Sequence, residues 1–101
     1  MPCNAVRTMT LEITASDHAI LTEAVRRCGV HGSADPADVA RRIIASGRVT
    51  VQATSLGREA ARSLRRYYAE GVVEEAARRN GWRVEREETR DGRTVLEVTR
   101  R

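Results

Sequence analysis

From Met9 to Thr14 the sequence MTLEIT alternates, with Met9, Leu11 and Ile13 on one side and Thr10, Glu12 and Thr14 on the other. A two-residue repeat of this kind marks a strand with one buried face. Beyond it the repeat changes. Ile20, Leu21, Ala24, Val25 and Cys28 share one face of a helix over about 17 to 28, with Ser16 or Asp17 placed to cap its start and Gly29 after its end. A chain that switches period like this is neither all-helical nor all-strand, and each later switch narrows the topology further.

After the turn-forming segment VHGSADP, Asp35 stands before Pro36, a pairing suited to the cap and first residue of a helix. That helix turns Val39, Ala40, Ile43 and Ile44 inward and ends at Gly47. RVTVQAT, from Arg48 to Thr54, alternates again, with Val49, Val51 and Ala53 inward. The next stretch, SLGREAARSLRR, begins a helix over 56–70 in which Leu56, Ala60, Ala61, Leu64, Tyr67 and Tyr68 share a side. Past Gly71, the residues Val72, Val73, Ala76 and Ala77 fall nearly half a turn out of phase with that stripe. The phase shift predicts a break at Gly71 and a second, shorter helix running to Asn80 and Gly81.

WRVEREETRDGRTVLEVTRR reads as a hairpin over 82–99. A two-residue Asp-Gly turn would mix its apolar and charged faces. A three-residue loop from Arg90 to Gly92, with Gly92 left-handed, pairs Val84 with Val98 and Glu85 with Glu97, and puts Trp82, Val84, Leu96 and Val98 on one face. The like-charged glutamates cost a few tenths of a kcal/mol, roughly, at an exposed site. Burying the valines outweighs that.

The expected fold class is therefore α+β, in the order β-α-α-β-α-α-β-β. The expected architecture is a two-layer sandwich in which the helices cover one face of a mixed sheet of about four strands. Its outer face would carry Thr10, Glu12, Thr14, Thr50, Gln52, Thr54, Glu85 and Glu97. A flexible N-terminus over 1–8 would precede a single domain over 9–101, a size suited to one modest core in a chain of 101 residues. With no Phe, one Trp and two Tyr, that core must be aliphatic. No apolar run is long enough to span a membrane and MPCNAVRTMT lacks the apolar stretch of a signal peptide, so a soluble cytoplasmic protein is expected. Cys3 and Cys28 form no disulfide framework and are expected to be reduced and inert.

The net charge of +4 and the pI near 10.0 suggest a polyanionic partner. All 18 basic residues are Arg, the pattern a GC-rich genome also produces, and 14 acidic residues are interspersed among them. The strongest candidate site is the helix face carrying Arg58, Arg62, Arg65 and Arg66, whose spacing can grip successive phosphates beside the free amides of a helix start. The bland reading is a solvated face on which Glu59 pairs with Arg62 and Glu70 with Arg66. The hairpin tip adds Arg86, Arg90 and Arg93, and the chain end adds Arg100 and Arg101. Glu85, Glu87, Glu88 and Asp91 are woven through that tip, as in hairpins whose charges serve solubility and edge protection.

Single-stranded RNA readers stack bases on sheet aromatics, and here the strands offer only Trp82, on the core side. His18 and His31 have no Cys or His partner at metal-ligand spacing, and Ser55, Ser63, Tyr67 and Tyr68 lack an assignable base. Neither catalysis nor a cofactor nor a metal is therefore expected.

GRVTVQATSLGREAARSL followed by GWRVEREETRDGRTVLEV resembles the strand, helix, strand, strand half of small two-layer nucleic-acid-binding domains. The C-terminal domain of bacterial translation initiation factor three and the Alba chromatin proteins are the nearest in pattern. The likeness is one of topology and carries no residue roles. MTLEITASDHAILTEAVRRCGV with DPADVARRIIASG resembles the strand, helix, helix order of ribbon-helix-helix repressors, which would turn Thr10, Glu12 and Thr14 toward DNA. A winged helix-turn-helix, with 56–70 as recognition helix and 82–99 as wing, fits the basic face better.

The leading expectation is a small nucleic-acid-binding protein that holds backbone phosphate through Arg58, Arg62, Arg65, Arg66, Arg90 and Arg93. The rival is a protein-binding accessory or inhibitor of phage or mobile-element type, anti-CRISPR-like in kind. It would act on a partner, or on a second copy as a homodimer, through the polar sheet face or the region of Tyr67, Tyr68 and Trp82.

Overall fold

The computed structural model describes residues 7–99. The expectations for Cys3, Arg100 and Arg101, and for most of the N-terminal segment, lie outside the described residues. Seven elements follow one another: β1 (Thr8–Glu12), α1 (His18–Cys28), α2 (Pro36–Ser46), β2 (Arg48–Gln52), α3 (Ser55–Asn80), β3 (Arg83–Glu88) and β4 (Thr94–Thr99). The α+β class is as expected. The four-stranded sheet is not: the strands form two separate antiparallel pairs, β1 with β2 and β3 with β4. The eight residues expected on one outer face are thus divided, Glu85 and Glu97 belonging to a different sheet from Thr10 and Thr50. Thr14 and Thr54 fall beyond the ends of β1 and β2.

The chain divides into two compact units, one through Tyr68 and one from Ala69 onward. In the first unit β1 and β2 pair with Thr10 opposite Thr50, and the pairing extends by Ile13 N–H donating to the Gly47 carbonyl at 2.9 Å. Asp17 caps α1 by accepting from the Ile20 amide at 3.0 Å, and Asp35 caps α2 ahead of Pro36. Gly29 and Gly47 close the two helices by donating to Val25 and Ile43 carbonyls. The Tyr68 hydroxyl accepts from the amides of Ser16 and Asp17 at 3.0 and 3.2 Å, which ties α3 to the approach of α1.

The buried core of this unit is Ile13, Leu21, Ala24, Val25, Ala40, Ile43, Val49, Val51, Ala61 and Leu64. It is aliphatic throughout, as the scarcity of aromatics requires. Small side chains fill a core only if backbones approach closely, and Gly57 is where this is sharpest. A Cβ there would overlap the Gln52 carbonyl oxygen and stand 2.8 Å from its carbon. Thr54 Oγ1 accepts from the Gly57 amide at 3.1 Å and the Thr54 carbonyl from Arg58 at 2.9 Å, so the helix begins directly against the end of β2. Leu56, expected inward, is 83% exposed, because the first turn of α3 precedes the part of the helix that packs, at Ala61 and Leu64.

The expected break at Gly71 does not occur, and α3 is one helix of 26 residues. The phase shift behind that expectation is genuine. It reflects a helix whose halves belong to different units, Ala61 and Leu64 being buried in one and Glu70 and Ala77 in the other, so no single stripe has to run its length.

The second unit holds the end of α3 and the hairpin. Its register is the expected one, Val84 opposite Val98 and Glu85 opposite Glu97, with the loop closed by Thr89 N–H to Arg93 carbonyl at 2.8 Å and Gly92 at a φ of 80°. Glu70, with a side chain 5% exposed, pairs with Arg86 at 3.2 Å rather than with Arg66. The guanidinium is near enough for an ion pair but not aligned for a hydrogen bond, which leaves both carboxylate oxygens without one. Among the described residues no helix is long and apolar enough to cross a membrane.

The neighbours Gly57 and Leu56 are expected to respond oppositely to alanine. Gly57→Ala forces backbone apart and should destabilise by about 1–3 kcal/mol, whereas Leu56→Ala should change stability by less than about 0.5 kcal/mol. Urea titration of both variants checks this, and equal effects would contradict the close approach of α3 to β2.

Candidate nucleic-acid interface

The arginine face is built by the start of α3. Arg58, Arg62 and Arg65 recur at helical spacing and, with Met9, Leu11 and Ala61, line a cavity of about 250 Å³ in the first unit. Its floor is apolar and its rim is three guanidiniums. The Arg65 guanidinium donates to the Glu12 main-chain carbonyl at 2.5 Å. The bonds of Arg7 and Ile13 to residues flanking β2 show that odd-numbered residues of β1 face β2. The amides and carbonyls of Thr8, Thr10 and Glu12 therefore point to the free edge, and Arg65 covers only the last of these carbonyls.

Arg66 lies over the Tyr67 ring, 5.1 Å from its centroid, and Arg27 from the end of α1 lies over the same ring at 4.4 Å. Nothing in the local pattern points to Arg27, since only the tertiary packing of α1 against α3 brings it to Tyr67. The groove floor from Met9 and Leu11 was equally invisible, because the two residues read simply as the inner side of a strand.

On the helices Glu23 holds Arg26 at 2.6 Å, Asp38 holds Arg41 at 2.7 Å, and Glu75 holds Arg78 and Arg79 at 2.6 and 3.2 Å, while Arg27 and Arg42 have no carboxylate partner among the described residues. The two guanidiniums hold the Glu75 carboxyl below its ordinary pKa, the hydrogen bond from Arg78 contributing most. Among the described residues no carboxylate pairs with Arg58, Arg62, Arg65 or Arg66, so neither pairing of the bland reading, Glu59 with Arg62 or Glu70 with Arg66, is formed.

The hairpin tip is more mixed and lies in the other unit. Arg86 is held by Glu70, Arg93 is within 3.4 Å of Asp91, and Arg90 is exposed in the loop with no carboxylate partner among the described residues. The Thr89 hydroxyl donates to Asp91 and holds its carboxyl below the ordinary pKa.

The remaining candidates are engaged structurally. His18 Nε2 lies 3.0 Å from the Ala37 carbonyl and His31 Nδ1 3.2 Å from that of Val25, so each ring nitrogen donates to main chain. Half-burial pushes the Cys28 thiol above its ordinary pKa and keeps it protonated, a poor nucleophile. Compared with known protein families, curated proteins and solved structures, the chain matches none.

Proposed function

We propose that this chain binds the phosphate backbone of a nucleic acid through Arg58, Arg62 and Arg66, with Arg65 at the rim of the groove and Arg90 and Arg93 as hairpin contacts. One observation carries the reading: four arginines clustered at the start of α3 are exposed and free of carboxylates, whereas Arg26, Arg41, Arg78 and Arg79 are each held by one at i, i+3 or i, i+4. Arg27 and Arg42 are the only other helical arginines without one among the described residues. A guanidinium already held by a carboxylate must give up that partner to take a phosphate, and a free one does not. The thermodynamic drive is release of the counterions condensed on the nucleic acid, so affinity falls with salt. Backbone contact of this kind carries no sequence preference of its own.

A second reading, of a protein partner of the phage or mobile-element kind, draws support from the free edge of β1. Outward amides and carbonyls at Thr8 and Thr10, beside an apolar groove, suit an added strand with acidic side chains toward Arg58 and Arg62.

Fluorescence anisotropy with a labelled random duplex, from about 50 to about 200 mM salt, tests the first reading. The double variant Arg58→Glu, Arg62→Glu should bind at least about tenfold more weakly and lower the slope of log affinity against log salt by about 2. Arg26→Glu, at a position already paired, should change neither by more than about twofold. Unchanged affinity in the double variant would sink the reading. Absence of binding by the unmodified chain at the lowest salt would favour the protein partner, and Thr10→Pro, which deletes one outward amide and spares the bonds to β2, should then abolish capture of that partner.

A further inference from the structure

The second unit is short of buried apolar surface. From Ala69 onward only Ala77 and Glu70 are buried among the described residues, and the main core cluster contains none of this unit's described residues. A two-stranded hairpin on one helix end is marginal by itself. Val95 and Val98, both on β4, are 48% and 40% exposed.

The strand edges are not equally protected. Charged side chains guard β3, which carries Arg83, Glu85, Arg86, Glu87 and Glu88. Arg65 covers the edge of β1 at Glu12. The sequence of β4, TVLEVT, is rich in β-branched residues, contains no Pro, Gly or basic residue, and has Glu97 as its one charge. An edge of that composition is a template for another strand.

Which groups it offers follows from the register. Thr89 and Arg93 form a hydrogen-bonded pair, so along the ladder Val95, Glu97 and Thr99 bond to β3, while Thr94, Leu96 and Val98 turn their amides and carbonyls outward. In a symmetric antiparallel pairing of two β4 strands, outward residues must meet outward residues. A two-fold axis at Glu97 would oppose the two glutamates at close range. An axis between Leu96 and Glu97 would mismatch the hydrogen-bonding groups. An axis at Val95 would pair only residues 94–96 within the strand and leave Val98 opposite Gly92 of the loop. With the axis at Leu96, Leu96 meets its own copy, Thr94 meets Val98, and Val95 meets Glu97, all within β4 and with no like charges opposed.

We propose that the free edge of β4 is a self-association edge, pairing antiparallel with β4 of a second copy about a two-fold axis at Leu96 to form a continuous four-stranded sheet. The contact is isologous, so it closes at a dimer. It covers the exposed Val98 and satisfies the outward main chain of β4. None of the arginines of the α3 face lies on β4, so loss of this pairing and loss of binding at that face are distinguishable.

Sedimentation equilibrium over about 1 to 100 μM of the full chain tests it, on a range suited to a modest interface. The unmodified chain should approach twice the 11.2 kDa chain mass. Thr94→Pro removes an outward amide without touching the bonds to β3, and should sediment as a monomer with an unchanged circular dichroism spectrum. If that variant loses the fold, the exposed position Val95 decides. Val95→Glu sets a second carboxylate against Glu97 of each copy and should raise the dimer Kd roughly fivefold or more, whereas Val95→Lys should leave it unchanged or lower it. A monomer at all concentrations, a folded Thr94→Pro dimer as tight as the unmodified chain, or equal weakening by Glu and Lys at 95 would each overturn the proposal.

Discussion

The structure depends on how closely its backbones approach. Without Phe and with its tyrosines at the margin, the first unit must close its core with Ala, Val, Ile and Leu. Such side chains gain their dispersion and transfer energy only at short separations. Ala24, Ala40 and Ala61 stand where larger residues would hold elements apart, and at Gly57 even a methyl group is too much. That contact fixes where α3 starts. The start of α3 in turn sets which residues reach the edge of β1, so the arginine groove is a consequence of how the core is packed.

The acidic residues sort the arginines into two populations. Glu23, Asp38 and Glu75 pair locally with Arg26, Arg41, Arg78 and Arg79, three or four positions on, while Arg27 and Arg42 are left without a carboxylate among the described residues. At the start of α3 the pairing Glu59 could offer Arg62 is not made, and Arg66 turns to an aromatic ring instead. Glu70 goes to the hairpin, where burial makes an unpaired carboxylate costly and Arg86 offsets that cost. What remains is a run of guanidiniums whose hydrogen-bonding capacity is directed to solvent, to a main-chain carbonyl or to a π face.

The hairpin was legible to the residue because two requirements converged on it: Val84 and Val98 had to share a face, and a left-handed Gly92 had to close the loop. The capped helices α1 and α2 were legible for similar reasons, with Asp17, Asp35 and Pro36 marking the starts and Gly29 and Gly47 the ends. The single sheet was not. Which strands pair depends on contacts far apart in sequence, and the alternation of β1 is the same whether it meets one neighbour or two. A break at Gly71 follows only if one helix serves one core, and α3 serves two units. Of the arginine face, the spacing was legible, whereas the partners were not: local spacing favoured Arg66 for Glu70, and the fold supplied Arg86.

The scarcity of aromatics has an optical consequence. Tyr67 and Tyr68 belong to the first unit, and Trp82, the single tryptophan of the chain, belongs to the second. Tyr68 is hydrogen-bonded through its hydroxyl and Tyr67 has two guanidiniums over its ring, so the absorbance of both depends on native contacts within their own unit. Tryptophan emission excited at the red edge therefore follows the hairpin unit and tyrosine difference absorbance follows the aliphatic core. The unfolding of each can be resolved in the unmodified chain without an introduced label.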